Sequence, residues 1–416
     1  MSSAVTQTPS CEDAAAAAAS LRSAAAVRER SRQLLVRARA GRSAWFAVDD
    51  AALATAADVV VETTRERYPD GDIPFHSRWR HFEAGGVDRL TALDDALPGD
   101  TADRSRALID VVVVSVLLDA GAGPDWRYHE ASTGRELTRS EGLGVASWDA
   151  FRSGLFSGDP THPLRVDAKG LRSISVDSLG AAFQVTRSNP LAGLEGRVEL
   201  LRRLGDTLAG RPEIFGVPGR PGGLFDLFSG DGRTTLRAPD LLAAVLTHLA
   251  PIWPSDNRIG SEPLGDCWRH EAVSGPGITA GWVPFHKLSQ WLTYSLLEPF
   301  VWAGVEVTDL DGLTGLPEYR NGGLLLDTGV LALRDEAWAR VEWEVGDPLV
   351  VEWRALTVAL LDEIADLVRE RLGADPATMP LACVLEGGTW AAGRMLAARL
   401  RNGLPPLTIR STGTVF

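Results

Sequence analysis

Leu349, Trp353, Leu356, Leu360, Ile364 and Leu367 recur at steps of three and four residues. That spacing lays apolar side chains along one face of a helix. Asp347-Pro348 in front supplies an N-cap and a proline for the first turn, and Gly373 stops the run. The same reasoning predicts a long alanine-rich helix over 14–40 ended by Gly41, and a second that Asp49 and Asp50 open and PDGD breaks after Tyr68. Others are expected over 103–119, 147–153, 194–209 and 239–249. Two more fall at 285–297, closed by Pro299, and at 389–401, closed by Asn402-Gly403. Strand patterns are few: GLLLDTGVLAL at 323–333 predicts a hairpin around Asp327-Thr328-Gly329, and LTIRSTGTVF at 407–416 a second. No fixed period recurs. The pattern predicts a mainly α class, a multi-helix globular fold with one or two small β-hairpins or sheets. Residues 1–12 read as a disordered tail, and 13–416 as one large helical domain with a candidate sub-domain break near 210–222.

One stretch, VVVVSVLLDAGAG at 111–123, supports two readings. An apolar run, an acidic residue and a glycine-rich turn can open a nucleotide-cofactor loop. Such a fold needs alternating strands and helices afterwards, and the following WRYHEASTGRELTRSEGLGVASWDAF is polar, irregular and then helical. The better reading is a buried helix ended by glycines that let neighbours approach closely. No cofactor is expected.

Composition then narrows the function. The formal charge of −13 and pI near 5.1 repel phosphate backbones, so nucleic acid is not an expected partner, whereas a local basic pocket for a small anion fits. Three cysteines without close pairing suit a reducing compartment. No signal peptide or membrane span is expected, and the chain reads as cytoplasmic. Thirteen Trp and twelve Phe offer rigid pocket walls.

Four stretches could carry chemistry. HSRWRHFE at 76–83 packs His76, Arg78, Trp79, Arg80 and His81 into one turn. Arginine forks suit carboxylate or phosphate and tryptophan gives a stacking face, although a self-paired charged turn would look the same. The second stretch, 251–272, holds Trp253, Asp266, Cys267, Trp268, Arg269 and His270. Cys267 and His270 lack a second ligand pair, so a buried thiol beside a paired Asp–Arg is the better account than zinc, and no metal is expected. On a helix over 285–297, Phe285, Leu288, Leu292 and Leu296 make an apolar stripe. His286, Gln290, Thr293 and Tyr294 fall opposite, with Lys287 adjacent. Imidazole, amide and hydroxyl there point to a pocket wall as readily as to a solvated face. In the fourth, Glu318, Tyr319, Arg320 and Asn321 occupy a turn ahead of Asp327, arranged either to activate water or as a salt-bridged bend. GRPGGLFDLF adds Asp226, and LEGGTW adds Glu386 and Trp390. No nucleophile elbow, P-loop, HExxH or paired CxxC occurs.

FHSRWRHFEAGGVDR, LGDCWRH, WVPFHKLSQWLTYSLLEPF and LPEYRNGGLLLDTGVL, with DAGAGPDW, resemble the URC-four (Urg-three) uracil-catabolism family, over roughly residues 40–416. The resemblance implies a place in a route in which uracil is ribosylated, its ring is opened by a cyclohydrolase-like partner, and a ribosyl-urea leads to urea. A remoter similarity links the chain to queuosine-salvage proteins, helical hydrolases that cut a nucleoside N-glycosidic bond. Together these imply a hydrolase acting on the N-glycosidic bond of a ribosyl-urea-type compound, with or without a phosphate. Breaking a ribosyl–nitrogen bond builds positive charge on the sugar, which a carboxylate stabilises while an acid helps the nitrogen leave. Asp327, Glu318 and Asp266 are the candidate carboxylates and His286 the candidate acid. Arg78, Arg80, Lys287 and Arg320 would hold an anion, and Trp79, Trp253 and Trp268 would form walls. His76, His81, Asp226, His270, Gln290, Tyr294, Tyr319 and Asn321 complete the expected substrate-binding set. Two alternatives stay open: an enzyme acting on the ring-derived fragment, and a non-catalytic partner that binds the intermediate or the cyclohydrolase. The sequence sets no oligomeric state.

Overall fold

The computed structural model describes residues 11–410 apart from 95, 98, 254 and 255. The chain is mainly α-helical, and the described strands pair only in two-stranded sheets. Residues 1–10 of the expected tail and the end of the expected second hairpin, 411–416, lie outside the described residues.

The alanine-rich stretch is two helices, α1 (Cys11–Leu21) and α2 (Ala24–Arg39), where one was expected. Ser23 breaks the run: its backbone is extended and its hydroxyl accepts the Ala26 amide hydrogen, opening a new helix. Along the chain follow α3 (Ala52–Arg67), the single turn α4 (Trp79–Phe82) and α5 (Thr101–Leu117). Next come α6 (Arg139–Arg152), α7 (Leu194–Ala209) and α8 (Ala238–His248), then α9 (Lys287–Trp302), α10 (Tyr319–Asp327), α11 (Pro348–Leu372) and α12 (Trp390–Arg401). Shorter helices fill the connections.

The stretch 111–123 is the buried helix: α5 is capped by Asp100, buries Ile109 to Leu117, and is followed by Asp119 and Gly121 to Gly123. Helix α5 lies against α9, α11 against α2 and α3, and α10 against α12. One apolar core runs from Ala24 on α2 to Leu407, with two satellites under α1 and α2.

Two expectations need correction. Residues 323–333 are not a hairpin. Helix α10 continues to Asp327, and strand Leu331–Leu333 pairs with Phe46–Val48, far away in sequence. Glu318 decides this, because its carboxylate caps the Arg320 and Asn321 amides and starts a helix where turn residues suggested a bend. Thr408–Ile409, in the described part of the expected second hairpin, pairs in parallel with Glu342–Trp343. Helix α9 also does not stop before Pro299; it carries the proline inside its last turns.

Candidate active site

Pro299 has no amide hydrogen, so the Ser295 carbonyl one turn earlier lacks its helical donor. The indole Nε1 of Trp79 takes that place, donating to Ser295 O at 2.9 Å. The proline thus opens a docking point for the segment 76–82. The match continues along one face of α9, at Lys287, Trp291, Ser295, Glu298 and Trp302, steps of four and three residues. Trp302 meets Trp79 edge-on, and Ser295 Oγ accepts the Arg78 amide at 2.9 Å. Glu298 accepts from Arg80 Nη2 at 2.8 Å and from the Ser77 hydroxyl. Trp291 faces both His76 and His81, ring centroids 4.7 and 5.9 Å away.

A π-helical turn, Leu385–Thr389, supports this segment from behind. Such turns bulge a helix outward and aim side chains a regular helix would not. Here the bulge presents Glu386 to His76 Nδ1 at 2.8 Å, Arg67 Nη2 at 2.8 Å and the Tyr68 hydroxyl at 2.9 Å. Burial would raise the Glu386 pKa, but the hydrogen bond and charge of His76 and the Arg67 guanidinium outweigh it and hold the carboxyl at about 2. Glu298 goes the other way: burial pushes it up to about 7 despite Arg80 and Ser77. One carboxyl is bound as an anion and the other holds its proton to neutrality.

In front of Trp291 the polar groups converge. The guanidinium of Arg78, wholly buried, reaches Asp119 Oδ1 at 3.0 Å and the Ser115 hydroxyl at 2.7 Å. Burial alone would raise Asp119, yet the positive fields of Arg78 and Lys287 bring it below the ordinary range, so it is ionised. Burial and Arg78 lower His81 to about 4, leaving a neutral imidazole whose Nδ1 has no hydrogen-bond partner. Glu141, lowered by the charge of Arg394 despite its burial, accepts from Arg394 Nη1 at 2.6 Å and lies near His81. Glu318, raised by burial, feels Lys287, and Tyr319 feels Glu318, Arg139 and Asp119. Asp119, Glu318, Lys287, Tyr319, His81 and Glu141 are thus linked through one another's fields into one polar neighbourhood, with the half-exposed Tyr319 at its surface, and this is the candidate cleft. Among the described residues, buried polar atoms without a protein partner include Trp291 Nε1, Asn321 Oδ1, Arg320 Nε and Thr389 Oγ1. Buried polar atoms are normally paired with protein or ordered water, so these atoms are available to a polar molecule that reaches them.

Of the residues expected from sequence, Arg78, His81, Lys287, Glu318 and Tyr319 belong to this electrostatic neighbourhood, Arg320 and Asn321 adjoin Glu318 at the start of α10, and His76 packs on Trp291. Trp79 and Arg80 hold its wall to α9. The rest are elsewhere. Asp327, at the far end of α10, forms a two-pronged pair with Arg401, both contacts 2.6 Å. Asp266 is gripped by Arg354 at 2.7 and 2.8 Å, by the Trp268 indole at 2.7 Å and by the Lys287 amide at 2.9 Å. It orients the start of α9 from behind. His286, in the left-handed region at φ 49°, donates from Nε2 to Leu21 O at 3.0 Å and is kept neutral by burial. Gln290 and Tyr294 flank the stripe from Lys287 to Trp302 on α9 and bind Thr314 instead. His270 sits 3.3 Å from the buried Glu352, Trp253 packs on the core, and Asp226 is an exposed partner of Arg106. Cys267 is buried beside the Asp266–Arg354 pair, among the alanines of α1.

Sequence reasoning missed Asp119, Glu141, Trp291 and Glu298. The signal for the last two was present as the four-residue stripe from Lys287. Asp119 followed an apolar run and read as the end of a core helix, which it also is. Two large surface hollows lie outside the cleft. One of about 920 Å3 runs along α2 past Arg28 and Arg37. The other, of about 970 Å3, is lined by Tyr68, Arg80 and Cys383 and backs onto the Glu386 and Glu298 network.

Comparison with known proteins agrees over nearly the whole chain. The chain is 42% identical over 401 residues to Protein urg3 of Schizosaccharomyces pombe, covering 94% of this chain and 96% of that protein. It is 40% identical over 377 residues to Uracil catabolism protein 4 of Lachancea kluyveri, covering 83% and 85%. The family model described as "Protein of unknown function (DUF1688)" matches residues 20–416. With that coverage and identity, the chain belongs to the DUF1688 family, together with these two fungal proteins.

Proposed function

We propose that the protein acts in uracil catabolism as a hydrolase that cleaves the N-glycosidic bond of a ribosyl-urea-type compound. The name of the Lachancea kluyveri relative, Uracil catabolism protein 4, supports the pathway. The observation that carries the reaction is a pair of carboxyls with opposite electrostatics that share the field of Lys287: Asp119, brought down chiefly by Arg78, and Glu318, raised by burial. Groups whose surroundings push their pKa values apart divide base and acid work between them.

In the proposed reaction the ribosyl carbon–nitrogen bond breaks and its electron pair goes to urea nitrogen, which takes a proton from Glu318. Asp119 stabilises the cationic sugar and receives a proton from the attacking water, whose oxygen bonds the anomeric carbon. The products are ribose, or its phosphate, and urea. Urea offers one carbonyl acceptor and several N–H donors. The orphan atoms supply the complement, with the Trp291 Nε1–H to donate and Asn321 Oδ1 to accept, the latter oriented by its own amide donating to Leu316 O at 3.0 Å. Of the carboxylates considered from sequence, Glu318 keeps a direct role; Asp266 acts by fixing Lys287, and Asp327 by fixing α10 to α12.

The test is to incubate the protein with ribosyl-urea, with and without a 5′-phosphate, and measure free urea and the sugar. Asp119→Asn should lower kcat by a hundredfold or more, on the order expected for a charge-stabilising carboxylate, while Asp327→Asn retains turnover. Absence of urea release from both compounds, or full activity in Asp119→Asn, would overturn the proposal.

A further inference from the structure

The charges around the cleft do not balance. Asp119 is committed to Arg78, Glu141 to Arg394, and Glu318 to the amides of its own helix. Lys287, Arg139 and Arg320 form no ion pair with any described residue, in a protein of net charge −13. Arg320 is the telling case. It is 4% exposed, its Nε has no partner, and its only side-chain hydrogen bond among the described residues runs from Nη1 to Gly403 O at 3.2 Å. A guanidinium buried with so little compensation is costly unless an anion completes it. Arg139 stands on the same side, its guanidinium close to Gly403 and its charge felt by Tyr319. Its backbone is held at φ 53°, a conformation arginine rarely adopts, at the first residue of α6. Strain of this kind persists where the surroundings enforce it, commonly at ligand sites.

We infer that Lys287, Arg139 and Arg320 form the receptor for a phosphate monoester on the substrate, so that the compound processed is a ribosyl phosphate rather than a free riboside. This rests on the glycosidic reading for the identity of the rest of the ligand, but not for the anion. Arginine forks and an ammonium are the groups that bind phosphate oxygens by charge-assisted hydrogen bonds. The aromatic Tyr319 beside Arg320, 4.8 Å from guanidinium carbon to ring centroid, gives the sugar a surface between phosphate and cleft floor.

Calorimetric titration with ribose 5-phosphate, ribose and inorganic phosphate separates the possibilities. Ribose 5-phosphate should bind at least about a hundredfold more tightly than ribose, the worth of two charge-assisted hydrogen bonds. Lys287→Gln and Arg139→Ala should each weaken it by about tenfold or more, with the thermal midpoint of each variant recorded to show that it folds. Arg320→Gln is the stronger but riskier change, since the residue is buried. Equal affinity for ribose and ribose 5-phosphate, or affinity indifferent to Lys287→Gln and Arg139→Ala, overturns the inference. So does equal kcat/KM for ribosyl-urea with and without phosphate. If inorganic phosphate is consumed and ribose 1-phosphate appears, the anion is a co-substrate and the monoester assignment falls. If ribose 5-phosphate binds as expected but no urea is released from either compound, the phosphate receptor stands and the glycosidic reaction does not.

Discussion

Glu386 offers the sharpest test of how the cleft wall is held. The folded protein keeps its carboxyl at about 2, against the ordinary 4.5. Because the folded pKa is depressed, the carboxylate contributes stability above pH 4.5 that is lost as the pH falls toward 2. The shift corresponds to about 3 kcal/mol, and the 7% exposure of the side chain leaves little solvent screening to discount it. Glu386→Gln removes the titration while keeping an oxygen for Tyr68 and Arg67. Urea unfolding followed by tryptophan fluorescence at pH 6 and pH 3 should show the native protein losing about 2 kcal/mol relative to the variant over that interval. The native protein should be the more stable at pH 6. Because His76 packs on Trp291, the variant should also lose activity beyond its loss of stability. A stability difference that stays constant with pH would refute the assignment of Glu386 as the charged anchor of His76 and Arg67.

Glu298 should show the opposite slope. Its folded pKa is raised to about 7, so its stabilising effect is complete below 4.5 and is lost as the pH rises through 7; Glu298→Gln should flatten that decline, and an unchanged profile would count against the buried protonated carboxyl. Trp79→Phe should cost about 1–3 kcal/mol by orphaning the Ser295 carbonyl, and much less in a Pro299→Ala background, where the helix restores its own donor; a double-mutant cycle with no coupling would contradict the docking argument. Asp327→Asn should destabilise by about 1–3 kcal/mol, below the full penalty for a buried pair because Arg401 is 27% exposed, with kcat per folded molecule unchanged; a selective loss of kcat would return Asp327 to the reaction.

Periodicity alone determined the mainly α class, the long helix ended by Gly373, and the burial of 111–117 as helix, since amphipathic spacing and glycine stops are local properties. Sequence also drew attention to the 76–81 cluster, to Lys287 and to 318–321, because arginine, histidine and tryptophan in close succession are unusual whatever the fold. Tertiary structure alone decided which charges stay free. Asp266, Asp327 and His286 are chemically as apt as Asp119, but each is taken up by a partner distant in sequence: Arg354, Arg401 and Leu21. Asp119 is held by an arginine too, and differs in sharing its surroundings with His81, Lys287 and Tyr319. A side chain's reactivity depends on burial and on neighbours brought in by packing, and neither is a property of the segment that carries it.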